Sequence, residues 1–564
     1  MNKKIKNSET NPNRKRTVIF GIDGATWKIL KPMIKENHLP NLKKLMKQSV
    51  HGTLRSVNPP VTFPAWATML TGKAPATLGA FYFLKPTNNY ELKVSPIDWQ
   101  TWNPIWNIYS KLGKKVCVFN IPTTTAYKVN GNYISGPIWG EDFENLAYPK
   151  KLNDALKSMR YLVRPISVPK ISGEDVFLKD LEKITKIKFK LFYKYYNEFD
   201  WDLFIMSFNF GDTIQHHFWK YFDKTHPKYV PGNKYEKVLI EHLNLLDHYL
   251  GKIVGSLPEN TSLIMTSDHG QMIAHTYVNL NAWLYHKGFL SIKKDYKKLK
   301  ENAFLKILKK DIFKTFSTIT KSYSKIISMS KFFNKRSFTD LQARFKIWSP
   351  LIENKLFTRH NLKHYVAWEG TEAYSLTLNT IYLNLIGREL KGCVSKENYK
   401  KIRNEIVNKL RELKDPKTNE KVIKDIWFKE EVYPKNPPDD FPDIYINFNK
   451  GYINYYSDLQ PPDRIFSTDV HFTGVHTLHG IFLAYGPGML TGEEIDGAKL
   501  EDIVPTILHI NNIPIPADID GRVLSEIFKP GSDSAQRKIK TEEEKGFKSS
   551  ERDKLRTMKF SKKI

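Results

Sequence analysis

The sequence predicts an α/β protein built on a doubly wound, mostly parallel sheet, and three observations carry that expectation. Short apolar runs recur along the chain, each closed by a glycine, a carboxylate or an asparagine. Segments with apolar residues at three- and four-residue spacing separate them, the pattern of amphipathic helices. Side chains able to bind a cation stand where the runs end, and open α/β sheets bind their ligands at that edge.

The first run is Val18-Ile19-Phe20-Gly21-Ile22 before Asp23-Gly24, read as a buried parallel strand that delivers a ligand at its carboxyl end. Lys114 to Phe119, ahead of Asn120-Ile121-Pro122, is a second such strand. The pattern returns in Trp201 to Phe208 before Gly211-Asp212, in Ser262 to Met265 before Ser267-Asp268-His269-Gly270, and in Ile481 to Ala484 before Gly486-Pro487-Gly488. Leu239 to Val254 is one of the intervening helices. From about 286 to 445 the chain reads as an inserted α+β cap, with basic amphipathic helices over Lys297 to Lys331, a helix over Asn398 to Leu413 and a turn at Asp415-Pro416-Lys417-Thr418-Asn419. The expected organisation is a basic flexible arm (1–16), a catalytic domain in two pieces (17–285 and 446–530), the cap between them (286–445) and a charged tail (531–564).

At 564 residues and 41% hydrophobic, the chain can bury a sizeable core. Its two cysteines, Cys117 and Cys393, form no Cys-x-x-Cys pair, so neither a disulfide framework nor a thiolate metal site is expected. The start is polar and basic, and no stretch holds about 18 uninterrupted apolar residues, so a soluble, cytoplasmic protein is expected. The net charge of +29 would attract phosphorylated molecules, nucleic acid or an anionic membrane surface. Lysine, asparagine, isoleucine and tyrosine are all abundant, as a general usage bias would give, so the charge names no partner.

Asp212 and His216 lie four apart and share one helix face, while His217 turns about 100° away. Asp268 and His269 directly follow a strand, and Gly270 permits a sharp turn. His471, His476 and His479 share one segment, and by spacing any of them is a candidate ligand. Each of these pieces alone has an ordinary structural explanation. A carboxylate with an imidazole suits zinc, manganese or iron better than magnesium.

Taken with Thr62 in Pro59-Pro60-Val61-Thr62-Phe63-Pro64-Ala65-Trp66, the pieces resemble the alkaline phosphatase superfamily, and most of all its type I phosphodiesterase/nucleotide pyrophosphatase branch with the related prokaryotic phosphohydrolases and phosphomutases. The likeness extends through Leu39-Pro40-Asn41-Leu42, Thr71-Gly72-Lys73, Gly480 to Gly488, Asp502 to Leu508 and Asp518-Ile519-Asp520-Gly521, and into the cap at Ala373-Tyr374-Ser375 and Tyr382 to Glu389. It implies a sheet of alkaline phosphatase type and two divalent metal ions, with zinc expected and manganese or iron as alternatives. Asp212, His216 and His476 would hold one ion, and Asp23, Asp268, His269 and the Thr62 oxygen the other. His476 is favoured because the family's ligand precedes the Gly-Ile-Phe strand by four residues, as His476 precedes Gly480. Thr62 would then be the nucleophile toward a phosphorylated small molecule and become a phosphothreonine.

The match departs in two places. Leu78-Gly79-Ala80 stands where many relatives have His-Gly-Ile, which predicts altered packing. Phe83 stands where nucleotide pyrophosphatases carry an asparagine that contacts a phosphate oxygen, which removes one donor from the transition state. Two other functions are compatible with the sequence: a phosphotransferase or mutase of the same superfamily, and a basic membrane-surface or nucleic-acid binding protein with a vestigial site, suggested by Lys293-Lys294-Asp295-Tyr296-Lys297-Lys298 and Lys309-Lys310.

Overall fold

A computed structural model describes residues 14–95, 97–136, 146–165, 167, 169–294, 362–435, 437–454 and 464–542. Its centre is a nine-stranded sheet. In chain order the strands are β1 (Arg16–Ile22), β2 (Val50–Arg55), β3 (Val116–Pro122), β4 (Gly131–Gly136), β5 (Ala147–Tyr148), β6 (Leu203–Phe208), β7 (Thr261–Thr266), β8 (His479–Tyr485) and β9 (Glu494–Lys499). Their spatial order is β9-β2-β8-β7-β1-β6-β3-β4-β5. β7, β1, β6, β3 and β4 run parallel, and all but the ends of β1 and β4 are fully buried, as their continuous apolar sequences require.

Helices cover both faces. Trp27–Lys35, Pro40–Met46, Glu174–Glu198, Phe210–Phe222 and Val238–Val254 pack with Val18, Phe20 and Ile22 of β1 on one side. Thr62–Thr71, Ile105–Lys111 and Ile503–Ile510 pack with Ile19 on the other. The alternation of β1 side chains between two cores is the doubly wound architecture the sequence predicts. Gly21 faces the second core, where a Cβ would lie 2.4 Å from the Trp66 ring. That contact seats the Thr62–Thr71 helix against the central strand.

The Ile481 to Ala484 run forms β8, but β8 is antiparallel to both of its neighbours, β2 and β7. This corrects the parallel pattern expected of that run, because a fully buried strand is uniformly apolar whichever way it points. The reversal brings the start of β8, with the segment before it, to the edge where β1 and β7 end.

In the cap, Ala373–Tyr374, Thr380–Leu383, Ile423–Phe428 and Ile444–Phe448 form a four-stranded sheet covered by the Lys396–Arg411 helix. The sheet extends past residue 445 because Ile444–Phe448 pairs with both Thr380–Leu383 and Ile423–Phe428. Arg388 joins Asp443 and Glu389 at 2.7 Å each inside it. Asn419 donates its backbone N–H to Asp415 at the expected turn. The basic helices expected over Lys297 to Lys331 lie outside the described residues. The arm's last residues are anchored, with Arg14 paired to Asp200 and Asp202 and Arg16 to Asp200. In the charged tail, Arg537 donates to the His509 carbonyl, and Thr541 pairs with Ile515. Among the described residues no helix is long and apolar enough to cross a membrane.

Candidate active site

Seven side chains from five segments converge at the carboxyl edge of the central strands. Asp23 leaves β1, and its N–H bonds the Phe208 carbonyl at 3.0 Å, which fixes it beside the end of β6. Gly24 then turns with φ +71°, a conformation suited to glycine, and its N–H meets Asp268 Oδ1 at 3.3 Å. Asp212 and His216 lie one turn apart in the Phe210–Phe222 helix that follows β6. Asp268 and His269 connect β7 to the Gly270–Val278 strand. That strand pairs antiparallel with Gly474–Thr477, setting His476 opposite Gln271.

Thr62 is the first residue of its helix, and every later residue of that helix is buried. Only Thr62 stands partly open, at the end where backbone N–H groups lack intrahelical carbonyl partners and the helix dipole favours negative charge. Its Oγ1 is 3.3 Å from His269 Nε2.

The ligand-type atoms form two clusters. In the first, His216 Nε2 and His476 Nε2 are each 3.2 Å from Asp212 Oδ1 and 2.9 Å from each other. In the second, His269 Nε2 lies 3.5 Å from Asp23 Oδ1 and 3.2 Å from Asp268 Oδ2. The clusters touch through the stacked rings of His269 and His476, whose centroids are 3.6 Å apart.

Backbone carbonyls set the imidazole tautomers. Nδ1 of His216, His476 and His269 faces the carbonyls of Gly474, Pro60 and Gly270 at 2.7, 2.8 and 3.2 Å. A carbonyl only accepts, so each Nδ1 carries the proton and each Nε2 turns its lone pair into the site. Two Nε2 lone pairs 2.9 Å apart, beside a carboxylate oxygen, need a cation or a proton between them. Asp23 Oδ1 and Asp268 Oδ2 are likewise buried without a hydrogen-bond donor. The donor set therefore fits two cations, one per cluster.

Protonation follows burial first and then the charges beside each group. Burial, then the Asp212 charge, pushes Asp23 up to about 8. Burial and the charges of Asp23 and Asp212 also hold Asp268 well above the carboxylate range. Burial opposes ionisation of Asp212, yet His216 and His476 outweigh it and hold that carboxyl well below its usual range. Burial opposes protonation of His216, but Asp212 prevails and its pKa is raised. His269, buried beside His476, is pushed well down.

The structure brings together all seven residues singled out from the sequence and leaves the other histidines aside. His471 and His479 are exposed, and His217 packs its ring against Phe177 and Phe472. Leu78 is part of the core beneath the Thr62 helix, and Phe83 packs against Phe63 with ring centroids 5.8 Å apart. Sequence reasoning missed two amides. Asn209 donates to Asp23 Oδ2 at 2.8 Å, and Gln271 donates to Asp212 Oδ1. Their signal was position alone, since both stand within two residues of a strand end or a ligand. The cap also reaches the site, because Tyr433 donates its hydroxyl to the Asn58 carbonyl at 2.7 Å and Val61 belongs to the cap core.

A doubly wound sheet with a threonine at a helix start, facing clustered carboxylates and imidazoles, is the architecture of an α/β phosphoric ester hydrolase. The family model for type I phosphodiesterase/nucleotide pyrophosphatase matches residues 17–478, and the chain belongs to that family. A search of curated proteins finds no match. Solved structures similar to the chain include human ectonucleotide pyrophosphatase/phosphodiesterase 5, at 13% identity, TM-score 0.45, 88% of this chain and 95% of that one. The murine protein of the same name is similar at 13% identity, TM-score 0.48, 91% and 100%. An inactive murine variant in complex with AMP is similar at 13% identity, TM-score 0.46, 89% and 95%.

Proposed function

We propose that this chain is a two-metal phosphoric ester hydrolase that acts on a phosphorylated small molecule through a covalent phosphothreonine on Thr62. The observation that carries the reading is the contact of Thr62 Oγ1 with His269 Nε2, in the buried one of two adjoining clusters of ligand atoms, the other being half-buried. Asp212, His216 and His476 would hold one divalent ion, and Asp23, Asp268, His269 and Thr62 the other. The nitrogen donors favour zinc, manganese or iron. When bound, such ions neutralise phosphate charge and acidify a coordinated hydroxyl or water.

The chain's own residues do the rest. Thr62 Oγ1 gives up its hydroxyl proton and attacks phosphorus, the ester oxygen departs with the bonding pair and takes up that proton through solvent, and the phosphoryl group rests on Thr62. N–H groups of the first helical turn face that group with the positive end of the helix dipole. Water then displaces the Thr62 oxygen, restoring the hydroxyl, and two inversions give net retention at phosphorus. Tyr433 of the cap holds the Asn58 carbonyl in the segment that leads into the Thr62 helix.

The test is hydrolysis of mono- and bis-p-nitrophenyl phosphate with added zinc or manganese. Release of p-nitrophenol that disappears in Thr62→Ala supports the proposal. Full activity in Thr62→Ala, or no turnover of either ester, refutes it.

A further inference from the structure

Asp23 is reached by a polar relay that runs across the ends of β3, β6 and β1 and starts from a fully buried lysine. Lys188, in the middle of the Glu174–Glu198 helix, has no exposed surface. Its ammonium donates to Asn120 Oδ1 at 2.9 Å and to the Val163 carbonyl, and lies 5.0 Å from the Phe210 ring centroid. Asn120 is itself buried in the left-handed region at φ +61°. It donates through Nδ2 to the Ser207 carbonyl at 2.9 Å and to Asn209 Oδ1 at 2.8 Å. Asn209 Nδ2 in turn donates to Asp23 Oδ2 at 2.8 Å.

Each amide has only one orientation consistent with its neighbours. An ammonium has no acceptor atom, so Asn120 must turn its oxygen to Lys188 and its NH₂ outward. The Ser207 carbonyl accepts only, which agrees. The NH₂ of Asn120 then requires the oxygen of Asn209, and that leaves the NH₂ of Asn209 for the carboxylate. A charge at one end thus dictates the donor at the other, and low polarity around the chain strengthens every link.

We infer that Asn209 is a positioning residue, oriented by Asn120 and Lys188. It occupies Asp23 Oδ2 so that Oδ1, the oxygen without a donor, turns toward Asp268 and His269. The inference rests on the two-ion reading of the site and adds to it that one cluster has a dedicated support from outside. The links of the relay run from Lys188 to Asp23 and not through the Asp212, His216 and His476 side chains, although Asn209 also caps the helix that carries Asp212 and His216. Outer partners of this kind change metal affinity by roughly 10–100-fold.

The experiment titrates the zinc-loaded full-length protein with a chromogenic chelator, which reports a dissociation constant for each ion, with thermal melting as the check on folding. Asn209→Leu is expected to weaken one ion by roughly 10–100-fold and leave the other unchanged. Lys188→Met, which keeps all seven ligand residues and Asn209, should weaken the same ion. The double variant should be no weaker than Asn209→Leu alone. Two unchanged constants in a folded Asn209→Leu, or equal weakening of both ions, overturns the inference and leaves the hydrolase reading standing. If Asn209→Leu does not fold, an unchanged pair of constants in Lys188→Met overturns it. A wild-type protein that retains none of zinc, manganese and iron overturns both.

Discussion

Replacing Asp23 with asparagine should stabilise the protein in chelator while destroying part of its capacity for metal. Burial and the Asp212 charge push the Asp23 carboxyl from 3.8 up to about 8. The folded carboxyl therefore binds its proton more tightly than the unfolded one, and without metal the stability falls as pH rises from 3.8 through about 8. At about 1.4 kcal/mol per pH unit, the cost at pH 7 is roughly 4 kcal/mol. The amide introduced by Asp23→Asn brings no such charge to bury, and its oxygen can still accept from Asn209. With an unfolding entropy of about 2 cal/mol/K per residue, a 4 kcal/mol gain raises Tm by roughly 3 °C for a chain of this size. Scanning calorimetry in EDTA from pH 5 to pH 8.5 would follow the difference. The variant should gain on wild type steadily up to pH 8 and level off above it. Zinc should reverse the order, because a ligand that binds the folded state stabilises it in proportion to ln(1 + [L]/Kd), and the variant lacks one charged ligand. A variant less stable than wild type in EDTA at pH 8, or a wild-type Tm flat from pH 5 to pH 8, would refute the reasoning.

Three further outcomes follow from the geometry. EDTA should abolish p-nitrophenyl ester hydrolysis and zinc or manganese restore it, with magnesium less effective because three of the ligands are imidazoles; equal rescue by magnesium would contradict the assigned donors. His476→Ala should lose more zinc affinity than the roughly 10–100-fold of an outer partner, whereas His479→Ala, three residues on and exposed, should match wild type in zinc titration. Gly21→Ala should cost about 1–3 kcal/mol of stability, since its methyl meets Trp66 at 2.4 Å, and should lower kcat by shifting Thr62; an unchanged melting curve would show that the helix accommodates it.

Much of the site was legible because each ligand adjoins a strand end or repeats after one helical turn. The runs before Asp23, Asp212 and Asp268 are apolar on both faces, short and rich in β-formers, as buried central strands require. Strand direction was not legible in Ile481 to Ala484, because uniform burial erases the pattern that separates parallel from antiparallel pairing. Asn209 and Gln271 escaped notice because an amide between apolar neighbours looks the same in a turn as in a relay. Their partners, Asp23 and Asp212, are 186 and 59 residues away. The choice of His476 over His471 and His479 came from resemblance, as spacing left all three open. The end of the cap was blurred because Ile444–Phe448 reads equally well as the first strand after an insertion or the last strand within it.

The three imidazoles owe their orientation to main-chain oxygens at Gly474, Pro60 and Gly270. Two of those oxygens belong to glycines with no room for a side chain, since a Cβ would lie 2.3 Å from the Gln215 carbonyl oxygen at Gly474 and 2.0 Å from the His479 carbonyl oxygen at Gly270. Sequence drift elsewhere, as at Leu78 and Phe83, leaves these main-chain acceptors in place as long as residues 270 and 474 remain glycine. A side chain at 270 or 474 would push the main chain that carries the acceptor, so substitutions at those two glycines should disturb the rings as an insertion or deletion would.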